Sequence, residues 1–229
     1  MLAEPAASVA RDGGRWRPGL NPAPRHSEIF ASSREGAGAA LALALARDEL
    51  RVEQGMRWLW VQDAEALRLG GRPCRAGLPE SLRHGLVHVA AKTSADALFA
   101  LEEGLRCRDL AFVLGEIGGN PRALDFTASR RLSLAAERHG VPLWLVRIDA
   151  RRDLSSARMR WEVQSAPSAR PRWNAAAPGQ PAWRAELFRA RQHSPGEWIL
   201  RDEGNVLAAI PPHPGDMAPA PGDRSLATG

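Results

Sequence analysis

Short apolar runs alternate with longer amphipathic stretches between Ser27 and Arg147. Met56–Gln62 (MRWLWVQ), Leu86–Ala90 and Leu110–Leu114 (LAFVL) are nearly continuous apolar runs, as expected of strands covered on both faces of a parallel sheet. Ser27–Phe30 predicts a further short strand, and Leu143–Arg147, after Pro142, predicts another. Between them, Gly36–Arg51 predicts a helix. Its Leu41, Leu43 and Leu45 alternate as in a strand, but the alanines around them favour a helix. Ser94 is expected to cap a helix to about Arg106, with Ala97, Leu98, Leu101, Gly104 and Leu105 on one apolar stripe. A helix opening at Thr127 or Ala128 runs to His139 and is closed by Gly140. Strands alternating with helices define an α/β domain with a mostly parallel sheet covered on both faces.

The pattern changes after Asp149. Arg158–Gln164, Ala182–Arg191 and Glu197–Ile210 read as three strands with no helices between them, and Asp202–Asn205 (DEGN) is a turn signal. This predicts a small antiparallel extension of the sheet. One domain therefore spans 25–210, with an exposed Pro/Ala-rich loop at about 166–181. Residues 1–24 and 211–229 are rich in proline and glycine without hydrophobic period, and read as disordered tails.

Composition narrows the classes. A chain of 229 residues with 44% hydrophobic and 25% charged content suits one globular domain. No run approaches the roughly 18 apolar residues of a membrane span, and the first residues lack the apolar centre of a secretory signal. A cytoplasmic protein without membrane contact is the expectation. The net charge is +5 and the pI about 10.6, which invites a nucleic-acid partner. Lys92 is the only lysine and tyrosine is absent. That bias is what a GC-rich genome imposes, so the basicity carries modest weight. Cys74 and Cys107 lack CxxC spacing and fit reduced thiols. His84 and His88 stand four apart, but on a loop entering a strand rather than on a helix, so no metal site is expected.

The stretch EIFASSREGAGAALALALA (Glu28–Ala46) has the layout of a phosphate-binding loop: strand, small-residue loop, helix. Such loops work because glycines let backbone N–H groups wrap phosphates, a lysine neutralises them and a hydroxyl holds magnesium. Here Ala31 stands for the first glycine, Gly36 matches the second, Ala37 replaces the lysine and Gly38 replaces Ser/Thr. A lone glycine before a helix is equally an ordinary strand–helix turn.

The order of segments resembles the core of the RecA recombinase fold, with HSEIF as its first core strand, WVQDAEAL as its second with the following acid, and LAFVLGE as its Walker B strand. More closely, the chain resembles the ImuA family. The resemblance is carried by WVQDAEALRLGGRPCRAGL (Trp60–Leu78), SADALFALEEGLRCRDLAFVLGEI (Ser94–Ile117), LDFTASRRLSLAAERHGVPLWLVR (Leu124–Arg147) and PAWRAELFRAR (Pro181–Arg191), and covers roughly 25–205. It implies a three-layer RecA-like core and a role in DNA-damage-induced translesion synthesis. It also implies ImuB, an inactive relative of Y-family polymerases, and RecA as partners, and indirectly an error-prone replicative-type polymerase.

Against that family frame, Gly115 takes the place of the Walker B aspartate and Glu116 follows one residue late. With the lysine also gone, phosphoryl transfer, which rests on positioning and electrostatics, is not expected. The chain is read as a non-enzyme without cofactor, its phosphate loop (Ala31, Gly36, Ala37, Gly38) and Walker B site (Gly115, Glu116) vestigial. Glu65 is either a surviving general base or a solvated helix-start glutamate. The resemblance places DNA loops at Gly118–Leu124 and Asp149–Ser155. Arg130, Arg131, Arg151 and Arg152 are candidate DNA contacts. Trp58, Trp60 and Trp144 belong to the core, whereas Trp161, Trp173, Trp183 and Trp198 cluster in the extension, with Trp183 and Trp198 as candidate partner anchors. Two rival readings remain: an SOS cell-division inhibitor of the same superfamily, and an ATPase with an unorthodox site.

Overall fold

The computed structural model describes residues 17–18, 25–50, 55–168, 174, 177–204 and 206–210. Apart from residues 17–18, the tails lie outside these, as do Trp173 and part of the 166–181 loop. In chain order the elements are β1 (His26–Ala31), α1 (Ala37–Leu50), β2 (Arg57–Gln62), α2 (Ala64–Gly70), α3 (Glu80–Arg83), β3 (Leu86–Ala90), α4 (Ser94–Arg106), β4 (Leu110–Gly118), α5 (Phe126–His139), β5 (Leu143–Ile148), β6 (Met159–Ser165), β7 (Ala182–Ala190), β8 (Gly196–Asp202) and β9 (Leu207–Ile210).

All nine strands form one sheet in the order β3-β2-β4-β5-β1-β6-β7-β8-β9. Pairings from β3 through β6 are parallel, and those from β6 to β9 antiparallel. The strands are apolar because helices cover both faces. Ile29, Trp60, Trp144 and Val146 join α1 in one core. Val61, Val113, Leu143 and Leu145 join α4 and α5 in the other. The result is an α/β domain with a mostly parallel sheet and an antiparallel C-terminal extension.

Helix α1 explains its own ambiguous sequence. Leu41, Leu43 and Leu45 are all buried, together with Ala37, Ala42, Ala44 and Ala46. A helix apolar nearly all round must be enclosed, and the extension encloses it. Trp183, Trp198, Leu200 and Leu207 pack into the same core. At its last turns Arg47 pairs with Asp202 at 2.9 Å and donates to the Gly204 carbonyl. Asp48 accepts from the Leu207 backbone N–H at 3.0 Å.

Several boundaries differ from the sequence expectation. The span Glu197–Ile210 is two strands, β8 and β9, because the DEGN turn folds it back as a hairpin. β4 extends to Gly118, four residues beyond the apolar run. β3 is an edge strand rather than a covered one, with Val87 46% exposed. Thr93, not Ser94, caps α4 by accepting from the Asp96 N–H; the Ser94 hydroxyl donates instead to Asp63 at 2.6 Å. Asp125 caps α5, which starts at Phe126 and ends at Gly140 in the left-handed conformation.

Candidate functional site

The carboxyl ends of β1, β2, β4 and β5 open into a cavity of about 430 Å³ whose lining includes Ser33, Arg34, Trp60, Gln62, Arg72 and Glu116. The topology puts it where ligands bind in open α/β sheets: outside the strand carboxyl ends, beside the first strand–helix turn.

In the turn, residues 32–36, the N–H groups of Ser33 and Arg34 are spent on the protein. Ser33 N–H donates to Asp149 Oδ1 at 2.9 Å, and Arg34 N–H to Ser32 Oγ at 3.2 Å. Asp149 sits at φ 50° after β5. The Ser33 hydroxyl, and then its N–H, hold the Asp149 carboxyl below its ordinary pKa. A fixed carboxylate thus occupies a donor that a phosphate loop would offer to its ligand. Gly36 lines the cavity, yet neither a positive φ nor a close neighbour requires a glycine there. Ala37 is buried at 2% exposure. At Gly38 a Cβ would lie 2.7 Å from Val146 Cγ1 and 2.8 Å from the Ala31 Cβ, so the hydroxyl residue of an active loop has no room.

The strand register revises the second half of the site. Gly115 faces away from the cavity: a Cβ there would lie 2.9 Å from side-chain carbons of Leu101 and Leu145, on the α4 face. Alternation along β4 turns Glu116 to the cavity side. Glu116 Oε2 accepts from Trp60 Nε1 at 3.0 Å and from Gln62 Nε2 at 2.6 Å. Gln62 also donates to the Gly71 carbonyl, and its Oε1 meets His88 Nε2 at 2.9 Å. Burial raises the Glu116 pKa, while the Trp60 and Gln62 hydrogen bonds oppose the shift. Glu116, and not position 115, is therefore the carboxyl that looks into the pocket. The signal in the sequence was the period of two in WLWVQ, which sets Trp58, Trp60 and Gln62 on one face.

The neighbouring acids are committed elsewhere. Asp63 caps α2, accepting from Ala66 N–H at 2.8 Å, and also holds Gly118 N–H and Ser94 Oγ. Glu65 pairs with Arg68, which lowers its pKa, and lies outside the cavity lining. Of the arginines named as DNA contacts, Arg131 is 3.3 Å from Glu102. Arg152 binds Glu162 and Glu186, with its guanidinium 3.9 Å from the Phe188 ring centroid. Arg151 is exposed on the loop that Asn120 braces through its backbone. Arg130 lines a different groove, beside α5. The four arginines do not form one patch. Trp183 and Trp198 are 4% and 3% exposed, and Trp198 packs on Trp161 at 5.7 Å. Both fill the core between the extension and α1, which corrects their reading as exposed anchors.

The cavity belongs to an α/β domain in which the turn after β1 leads into a buried Ala37 and into Gly38, where a Cβ would meet Val146 and Ala31. No family model matches the chain. Over 152 residues the chain is 34% identical to Protein ImuA of Caulobacter vibrioides, in strains NA1000 / CB15N and ATCC 19089 / CIP 103742 / CB 15 alike, covering 62% of this chain and 59% of each relative. The chain thus spans about three-fifths of the length of the curated relatives it matches.

Restoring the missing groups is expected to fail. Gly38→Ser should cost about 1–3 kcal/mol by overpacking against Val146 and Ala31. The Ala37→Lys/Gly38→Ser double variant should give no magnesium-dependent ATP heat in calorimetry. An unchanged melting temperature for Gly38→Ser would show that the loop yields easily and that the steric account is wrong.

Proposed function

We propose that this chain is a non-catalytic accessory protein of DNA-damage-induced mutagenesis, acting in the cytoplasm through a RecA-like platform that binds ImuB, RecA or both. The similarity to ImuA proteins supports the pathway. The observation that carries the non-catalytic half is the loop after β1, where Ala37 is buried and Gly38 is sealed by Val146 and Ala31. No helix among the described residues is long and apolar enough to cross a membrane. One mechanism is that a subunit unable to hydrolyse ATP occupies an end or interface of a RecA filament, limiting strand exchange and favouring polymerase access.

The ATPase reading draws on a single observation: the buried carboxyl of Glu116 faces the pocket. It predicts magnesium-dependent ATP binding by the unaltered protein, and a flat titration removes it. For the accessory role, the tagged protein is captured from DNA-damaged cells with a salt wash, and its partners are identified by mass spectrometry. ImuB or RecA is the expected recovery. Recovery of the tubulin-like division protein with neither of them would replace this reading with division inhibition.

A further inference from the structure

A second groove, of about 490 Å³, lies on the other side of the sheet, between α5 and the segment leading into β6. Four arginines line it: Arg130, Arg158, Arg189 and Arg191, with no acidic residue in the lining. Arg158 is paired with Glu137 through Nε at 2.7 Å. No ion pair among the described residues engages the other three, which are exposed. Three uncompensated guanidiniums around one concavity make a local positive field that the chain's modest net charge does not reveal.

The groove is built rather than accidental. The segment 155–158 forms one wall and is fastened to α5 by serine hydroxyls. Ser156 N–H donates to Ser129 Oγ at 2.9 Å, and the Ser133 and Ser156 hydroxyls are 2.6 Å apart. Ser133 in turn meets His26 Nδ1 of β1 at 2.7 Å. On α5 the spacing of four puts Phe126, Arg130 and Leu134 on one stripe. Phe126 is 47% and Leu134 53% exposed. Arg189 and Arg191, two apart at the end of β7, share the opposite wall.

We propose that this groove binds single-stranded nucleic acid, with Arg130, Arg189 and Arg191 on the phosphates and Phe126 stacked on a base. Cations on two walls match a ligand that repeats its negative charge along its length, and an exposed aromatic beside an arginine is the platform an unstacked base needs. An acidic peptide would satisfy the charges but offers Phe126 no flat face. A duplex keeps its bases stacked and offers Phe126 no open base face. The site is distinct from the pocket at the strand carboxyl ends, and it stands whether or not the chain binds ImuB or RecA.

The test is fluorescence anisotropy of a labelled oligo-dT against the purified full chain over a salt series. Arg189→Gln/Arg191→Gln should weaken binding about tenfold or more and reduce the log–log salt slope by about 1.4, roughly 0.7 per lost phosphate contact. Phe126→Ala should weaken binding about fivefold or more and leave the slope unchanged. Arg34→Gln/Arg72→Gln removes the same charge from the other pocket and should leave affinity within about twofold. All these side chains are exposed, and thermal melts confirm that the variants fold. Equal losses in both double variants would overturn the groove assignment, as would no binding by the unaltered protein at low salt. Poly-glutamate displacing oligo-dT at lower concentration would assign the groove to an acidic peptide instead.

Discussion

Glu28→Ala is expected to cost about 3–5 kcal/mol, the range for removing one partner of a buried ion pair. Glu28 lies on β1 at 0% exposure, facing the α5 side of the sheet. Its Oε2 accepts from Arg160 Nε at 2.8 Å and its Oε1 from Ser155 Oγ at 2.7 Å, while Arg147 Nη1 stands 3.8 Å away. Arg147 and Arg160 are 1% and 3% exposed. Asp153 approaches both guanidiniums, at 3.3 and 3.7 Å, and its side chain is 34% exposed. Without Glu28, two enclosed cations share one half-wet carboxylate. For a domain of this size the loss corresponds to a fall in melting temperature of about 6–20 °C. Glu28→Gln keeps hydrogen-bonding capacity and should cost less. Glu28→Leu with Arg160→Met should recover much of the loss, because an apolar pair of similar volume avoids desolvation. A Glu28→Ala variant within about 1 kcal/mol of the parent by urea unfolding would show that water reaches the cluster and that the charges are not enclosed.

That cluster marks the seam where the parallel core meets the antiparallel extension. β1 pairs β5 on one side and β6 on the other, so Glu28 of β1 sits between Arg147 of β5 and Arg160 of β6. The seam's other face is apolar, with Ile29, Val146 and Trp161 in the α1 core. A slip of one residue in β6 would carry Trp161 to the charged side and Arg160 into the apolar core. The ion cluster therefore helps specify the register on which the whole extension is laid.

The parallel core was legible because its strands are covered on both faces. LAFVL and MRWLWVQ are apolar without interruption and admit few other readings. The end of β4 was less so, because Gly115-Glu116 looks like a strand terminus and becomes a strand through pairing with β2 and β5. α2 and its cap went unread as a helix of its own, because seven residues after Asp63 carry too little periodicity. The departures from a phosphate-loop pattern were visible at Ala37 and Gly38, but the side chain that crowds Gly38 belongs to Val146, more than a hundred residues away. The Trp183 and Trp198 expectation failed for a related reason. Tryptophans on a short antiparallel extension resemble surface anchors until the extension is seen folding its apolar face onto α1. The arginine groove was half visible: Arg130 was named, whereas Arg189 and Arg191 reach it only through the antiparallel return of β7 along β6.

Acidification from pH 6.5 toward 4 should destabilise the domain through His26. The imidazole is fully enclosed on β1, with Nδ1 against Ser133 Oγ at 2.7 Å and Nε2 buried without a hydrogen-bond partner among the described residues. Its pKa is lowered from 6.5 to about 4, chiefly by burial, with Arg158 and Arg160 adding to the shift and Glu28 and Glu137 opposing it. Charging the ring would create a second N–H donor with no acceptor and place a cation among arginines. The sign follows from proton counting. Between the two pKa values the unfolded chain binds the proton and the folded one does not, so stability rises with pH there. The contribution is complete above about pH 6.5 and is lost as pH falls toward 4, in total about 3 kcal/mol at 1.36 kcal/mol per unit. His26→Asn can keep a hydrogen bond to Ser133 and cannot charge. It should be less stable than the parent at pH 8, through lost packing, but its unfolding free energy should fall less steeply between pH 6.5 and 4. Parallel pH profiles for the two proteins would show that His26 takes up no proton on unfolding and that the acid sensitivity lies elsewhere.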